Sequence, residues 1–402
     1  MIEKKVGTIL REQWSVGLDN KCGTFIESLR KDEGTVVVPV LGDQGQAIGL
    51  IDKQATLLLA SNPLHYSVYQ NRSVRAMMLD KFLSFDENTT IDEVASTFLR
   101  EGLSLSQGGF IITRDGNFIG VGACTDTLNY LVESNTQRAL EMSELHEEVM
   151  DSVRYASRIQ QGLLPTKNKL QVGLKDIDVI WEPRDIVGGD VYWRSQDVGK
   201  EHFTIGLIDC TGHGVPGAMM SMVVLSILNR IYSEDPEVQP GVALAHLGNL
   251  VRTALNQDSV DCNSNDGFDA GFCKVDIANR NVVFAGARTN CFVVPRDEGP
   301  ILRVPGEKSA LGYPGNVPYE PLEQYDIPLD GYSMFCMASD GIFDQPGGPR
   351  NIAFGPKRFI EMVDRNRTAT PSALMQVLHK TAEEWRGTEL RRDDLSALAF
   401  RL

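Results

Sequence analysis

Four short motifs after Leu170 carry carboxylates, three of them close to glycines: RDIVGGD ending at Asp190, IDCTGHG around Asp209, MASDGIFD around Asp340, and RRDDLSALAF with Asp393 and Asp394. Each acid falls at the end of an apolar run or in a turn. Gly188, Gly189, Gly212, Gly214 and Gly341 let the backbone turn tightly there and approach a ligand that side chains would obstruct. Carboxylates gathered in one place repel one another unless a cation lies between them, and oxygen donors on turns are what Mg2+ or Mn2+ takes. Two such ions can activate a water and hold a phosphate oxygen, an arrangement suited to metal-assisted phosphoester hydrolysis. One Asp-Gly pair marks only an ordinary turn, but four such motifs in one chain predict a two-metal site.

These motifs need a scaffold. From Leu170 to Leu402 β-rich runs such as HFTIGLIDC, FDAGFCKVDI, NVVFAGA and YSMFCMASDG are interrupted unevenly by helical stretches at 216–232, 240–256, 356–364 and 371–385. That order predicts an α+β sandwich with its own core. At 402 residues the chain is long enough for two or three folding units, and 42% hydrophobic with 23% charged residues describes a soluble globular protein. Acidic residues outnumber basic ones 54 to 39, a net charge of −15 that repels nucleic acid and anionic membrane as partners. Seven cysteines, at 22, 124, 210, 262, 273, 291 and 336, are odd in number, scattered and without a C-x-x-C pair, which predicts reduced thiols in a cytoplasmic protein. The opening MIEKKVGTILREQW has no apolar signal core, and no uninterrupted apolar run approaches the ~18 residues a bilayer requires, so neither export nor membrane insertion is expected.

The first third contains a weak duplication. SVGLDNKCGTFIESL with TVVVPVLGDQGQAIGLID, and FLSFDENTTIDEVASTFL with GGFIITRDGNFIGVGACTDTLNYL, each read as strand, amphipathic helix, strand, turn, strand. Asp43-Gln44-Gly45 and Arg114-Asp115-Gly116 supply the turns. Residues 133–165 then lack glycine until Gly162 and close at Pro165, which predicts one long helix. Met142, Leu145, Val149, Ser152, Ala156, Ile159 and Leu163 alternate at spacings of three and four, a seam for a parallel dimeric coiled coil or a face laid on the chain's own core; both readings stay open.

The order of the first 132 residues, with its G-x-G-x-x-T-D stretch, resembles a tandem pair of cystathionine-β-synthase (CBS) motifs. That resemblance implies a sensor module gripping an adenine nucleotide, with Thr125 and Asp126 the matching positions; Ala123 stands where a hydroxyl belongs. The alternative is that Asp126 caps a helix beginning near Thr127. The four acidic motifs, with PGAMMSMVVLSIL after GHG and VRYASRIQQGLLP before them, resemble the PPM (protein phosphatase 2C) superfamily and, within it, bacterial stage II sporulation protein E-like serine/threonine phosphatases. The expected organisation is a CBS-like module at 1–132, a helical coiled-coil linker at 133–165 and a PPM-type sandwich at 166–402.

The phosphatase resemblance implies that Asp209 bridges two Mn2+ or Mg2+ ions, that the Cys210 carbonyl adds an oxygen, that Asp190 serves one ion, and that Asp340 and Asp393 serve the other, with Asp394 behind them. A hydroxide between the ions would attack phosphorus in line, with no covalent phospho-enzyme. Ala287 stands where eukaryotic relatives hold an acid for a third ion, so Asp344 lacks its partner; Trp193 follows GGDVY where an acid is common. His213 reads either as a general acid or as a structural residue of the GHG turn, and Arg184 is the arginine placed to grip a substrate phosphate. By resemblance the substrate is a phosphorylated regulatory protein of a partner-switching pathway, such as an anti-sigma factor antagonist, with FDQPGG after Asp340 matching such members, and the chain is expected to be a homodimer regulated by its N-terminal module. The competing functions are a non-catalytic nucleotide-sensing docking protein and a phosphatase acting on small esters.

Overall fold

The computed structural model describes residues 4–12, 14–102, 108–195, 202–259, 264–315 and 319–402. Two compact units emerge, Met1–Glu147 and Glu148–Leu402.

The first unit contains β1 (Leu10–Arg11), β2 (Val16–Gly17), α1 (Cys22–Lys31), β3 (Val37–Leu41), β4 (Ala47–Asp52), α2 (Lys53–Ser61), α3 (Pro63–Tyr69), β5 (Ser84–Asp86), α4 (Ile91–Arg100), β6 (Gly109–Arg114), β7 (Asn117–Ala123) and the start of α5 (Cys124–Leu163). The duplication is visible in the pairing: β2 runs parallel to β3 and β3 antiparallel to β4, and β5, β6 and β7 repeat the pattern. Asp115 and Gly116 both take positive φ, 50° and 80°, as the two-residue turn between twisted strands demands. Each repeat buries one helix face, Cys22, Phe25, Ile26 and Leu29 in the first and Ile91, Val94 and Phe98 in the second.

Two expectations are corrected here. The long helix starts at Cys124, not at 133: nothing between the end of β7 and Gly162 breaks a helix, so the closing helix of the second repeat and the linker are one element. Asp126 therefore lies inside the first turn rather than capping a helix near Thr127, and both its oxygens accept from Arg11, at 2.8 and 2.7 Å. The seam residues Met142, Leu145, Val149, Ile159 and Leu163 are all exposed.

The second unit continues with α6 (Lys167–Gln171), β8 (Asp176–Glu182), β9 (Val191–Arg194), β10 (His202–Cys210), α7 (Gly214–Glu234), α8 (Pro240–Ala254), β11 (Phe268–Asp276), β12 (Asn281–Ala287), β13 (Cys291–Pro295), β14 (Leu302–Val304), β15 (Gln324–Pro328), β16 (Tyr332–Ala338), α9 (Asp340–Phe343), β17 (Pro346–Gly347), β18 (Ile352–Ala353), α10 (Gly355–Arg365), α11 (Pro371–Arg386) and β19 (Leu395–Arg401). Two antiparallel sheets, ordered β15-β12-β11-β10-β9 and β14-β13-β16-β19-β8, face each other. Ile205, Leu207, Cys273, Phe284, Phe335, Met337, Leu398 and Phe400 fill the space between them. Helices α7 and α8 cover the first sheet, burying Val224, Leu225, Leu228, Leu244 and Leu247; α10 and α11 cover the second through Phe359, Val363, Leu374 and Leu378. This is the expected α+β sandwich, a helix layer outside each sheet. Helix α7 is long and apolar enough by composition to cross a bilayer, yet its Met220, Val224, Leu225 and Leu228 are core residues here. Cys22, Cys210, Cys273, Cys291 and Cys336 are buried and outside any disulfide, and Cys124 is buried; Cys262 lies outside the described residues.

Phe335 and Phe400 stack between the sheets with centroids 5.1 Å apart. Phe335→Ala is expected to cost the second unit about 3–5 kcal/mol, the usual loss for a buried ring. A denaturant midpoint unchanged from the parent chain would show that the sheets do not share this core.

Candidate functional site

Side chains alternate along a strand, and on β10 the inward positions are Phe203, Ile205 and Leu207. The same period turns Asp209 inward at the strand's end, where the apolar filling stops. Asp190 immediately precedes β9, Asp340 opens α9 just after β16, and Asp393 and Asp394 precede β19, so neighbouring strands of both sheets deliver their acids to one edge. The Asp209 carboxylate is in hydrogen-bonding contact with those of Asp190 and Asp340, and the charge of Asp393 acts on both Asp209 and Asp340. The structure thus brings together Asp190, Asp209, Asp340 and Asp393, and Cys210 lies beside them on β10 with its carbonyl facing the Gly189 turn.

Asp394 has a different task. Its carboxylate accepts from the backbone N–H of Arg184 at 2.6 Å, Gly189 at 2.5 Å and Asp190 at 3.2 Å. A Cβ at Gly188 would collide with that carboxylate, and one at Gly341 with the Asp394 carbonyl oxygen. The glycines that sequence reasoning set aside for a ligand are therefore needed first so that Asp394 can reach across and hold the Asp190 loop.

Burial dominates the electrostatics. It pushes the Asp190 carboxyl up to about 8, reinforced by the Asp394 charge, and holds Asp209 well above the usual carboxylate range, reinforced by Asp190 and Asp340. Asp340 is raised by burial and by Asp393. One oxygen of Asp190 is buried without a hydrogen-bond partner among the described residues. Desolvated, mutually repelling carboxylates with an orphaned oxygen are the donor set that a hard divalent cation fits. Asp190, Asp209, Asp340, Asp393 and the Cys210 carbonyl are the groups that could hold Mn2+ or Mg2+.

The remaining sequence candidates scatter. His213 stands just before α7, 44% exposed, with Nδ1 2.8 Å from Asp185 Oδ2. Its neighbours Gly212 and Gly214 both take positive φ, 84° and 64°. Arg184 donates through Nη1 to the Arg392 carbonyl at 3.0 Å. Asp344 is exposed at the end of α9. Trp193 is a core residue, its ring 4.7 Å from Tyr232 and its indole N–H donating to Asn229. In the first unit Thr125 borders a cavity of about 360 Å³ with Thr35, Asp52 and Lys53, whereas Asp126 is held by Arg11.

Two participants escaped sequence reasoning. Asp269 pairs directly with Asp209 in the β10–β11 register, so it faces the same edge; burial raises its carboxyl to about 6 against the opposing pull of Arg288, 3.6 Å away. Only the strand register reveals it, because FDAGF has no turn or glycine pair to announce an acid of interest. Gln160 on α5 donates to the Gly188 carbonyl at 2.6 Å and to Ser221 Oγ at 3.0 Å, tying the helix to the Asp190 loop.

A family model described as stage II sporulation protein E matches residues 199–402. Among solved structures, the SiaA-PP2C domain of Pseudomonas aeruginosa is similar at 29% identity and a TM-score of 0.56, covering 64% of this chain and 98% of that one. The PP2C phosphatase domain with a regulatory-domain fragment of SpoIIE from Bacillus subtilis matches at 15% identity and a TM-score of 0.44, over 56% of this chain and 62% of that one. No curated protein matches the chain.

A carboxyl whose proton is held more tightly in the folded than in the unfolded chain contributes stability at low pH, lost as pH rises through the folded value. For Asp190 that window runs from the ordinary 3.8 to about 8. Thermal melts in chelator should therefore show stability falling across it, with a shallower fall in Asp209→Asn and a recovery on adding Mn2+. Equal slopes for parent and variant would show that the two carboxyls do not interact.

Proposed function

The chain belongs to the stage II sporulation protein E family through residues 199–402, and from that premise we propose that its PP2C-type domain is a Mn2+- or Mg2+-dependent serine/threonine phosphoprotein phosphatase. The carrying observation is the convergence of Asp190, buried, Asp209, half-buried, and Asp340, at the exposed rim, with one buried Asp190 oxygen unpartnered among the described residues. Divalent cations bound there supply a lowered water pKa and positive charge for phosphate oxygens. The chain's own part is to hold the donors: Asp394 fixes the Asp190 loop by three backbone N–H groups, and Asp209 faces Asp190 on one side and Asp340 on the other. His213, tied to Asp185 at the rim, is placed to orient the GHG turn, with general-acid duty the alternative.

The substrate in this reading is a phosphorylated regulator of a partner-switching pathway in the cytoplasm, a phosphoprotein and not a small ester. The FDQPGG segment supports it: Gln345 accepts from the Arg392 N–H and donates to the Leu390 carbonyl, anchoring that segment to the one bearing Asp393. Regulation by a CBS-like first unit is supported by its repeated βαββ pattern and by Gln160, through which α5 touches the Asp190 loop. An adenine nucleotide there would find Thr125 at a cavity, with Asp126 first to be released from Arg11. Homodimerisation is supported by α5, which buries Ser157 and Gln160 while leaving the adjoining apolar stripe of Met142, Leu145, Val149, Ile159 and Leu163 exposed.

Turnover of p-nitrophenyl phosphate and of a phosphoserine peptide should require Mn2+ or Mg2+, and Asp209→Asn or Asp340→Asn should lower kcat by at least about 100-fold without changing the circular dichroism spectrum. Full activity in excess chelator would overturn the assignment. For α5, Leu145→Glu combined with Val149→Glu is expected to convert a dimer into a monomer in light scattering and to alter phosphopeptide turnover; unchanged mass and rate would reduce the stripe to a solvated face.

A further inference from the structure

The acidic edge has a positive group whose position no sequence motif announced. Arg288 follows the small, fully buried Ala287 at the end of β12. Its backbone is pinned: the Arg288 N–H donates to the Glu307 carbonyl at 2.6 Å, the Glu307 N–H donates to Gly286 at 2.8 Å, and Arg288 itself is bridged to Ala270 of β11. Its φ is 56°, a left-handed conformation that costs a non-glycine residue energy and persists only where surroundings enforce it. The side chain reaches Asp269 of β11, with Nη1 3.6 Å from Asp269 Oδ2. That separation is too long for a hydrogen bond, and among the described residues the guanidinium makes none. It is 56% exposed, so its donors are open to a ligand.

We propose that Arg288 is the residue that grips the substrate phosphate, held ready at the rim of the acidic edge by Asp269; this rests on the phosphatase reading above. Charge balance supplies the need. Two divalent cations would do no more than neutralise Asp190, Asp209, Asp340 and Asp393, and Asp269 adds further negative charge, so a phosphate dianion arriving there requires a cation from the protein. The planar guanidinium fork matches two phosphoryl oxygens, a geometry a lysine ammonium cannot reproduce. Arg184, the arginine the sequence nominated, already spends one nitrogen on the Arg392 carbonyl.

The test uses the full chain and its variants Arg288→Gln and Arg288→Lys, loaded with Mn2+. Loss of one charged bidentate contact should raise KM for p-nitrophenyl phosphate and the inhibition constant of inorganic phosphate together by about tenfold or more, with kcat much less affected and Arg288→Lys intermediate. Mn2+ affinity by calorimetry should stay within about twofold of the parent, which also reports that the variants fold around an intact site. Phosphate inhibition unchanged in Arg288→Gln overturns the proposal, as does an effect confined to Mn2+ affinity, which would make Arg288 only a counter-charge to Asp269. If the parent turns over no ester, the phosphatase reading fails; calorimetric binding of inorganic phosphate to the Mn2+-loaded chain then still decides, weaker binding by Arg288→Gln supporting the grip and equal binding overturning it.

Discussion

Carboxylates that lie against one another out of water pull against the folding of the domain that contains them. Asp190 is buried, Asp209 half-buried and Asp340 exposed at the open edge of the sandwich, where loss of water and mutual repulsion raise all three above the ordinary carboxylate range. Such an arrangement persists only because the rest of the unit over-determines it. Two five-stranded sheets with aromatic and aliphatic filling between them, and helices outside each, provide the favourable burial against which the acidic edge is set.

Asp394 shows how that surplus is focused. It reaches from the start of β19 on one sheet to three backbone N–H groups at and before the start of β9 on the other. Charge-assisted hydrogen bonds to backbone are rigid and directional, and these hold the Asp190 loop in register with Asp209 across the gap between sheets. Gln160 grips the same loop from α5 through the Gly188 carbonyl and is itself fully buried, so the loop is held from two sides. A helix whose buried amide contacts the loop carrying Asp190 is mechanically placed to influence it. The adjoining stripe of Met142, Leu145, Val149, Ile159 and Leu163 is exposed.

The site's positive side is arranged by the same register logic. Asp269 lies directly across from Asp209 and would add to the repulsion were Arg288 not beside it. The left-handed backbone at Arg288 and the bridge to β11 place a guanidinium where an acidic site most needs one.

Much of this was legible from the sequence because its signals are local. Glycines near Asp190, Asp209 and Asp340 mark turns, the β-rich runs HFTIGLIDC and YSMFCMASDG mark strands, buried on both faces, and helices at 216–232, 240–256, 356–364 and 371–385 match α7, α8, α10 and α11 to within a few residues. Local signals also misled, and for the same reason: a composition change at 133 reads as a boundary, but a helix stops only at a breaker, and none stands between Cys124 and Gly162. Asp126 reads as a cap or a ligand until Arg11, distant in sequence, takes both its oxygens. What only the tertiary structure decided are the contacts made across strands and between sheets: Asp269 opposite Asp209, Asp394 under the Asp190 loop, Gln160 on Gly188 and Arg288 on Asp269. Those depend on strand register and on which sheet edges meet, quantities set by the packing of the whole core and carried by no single stretch of the chain.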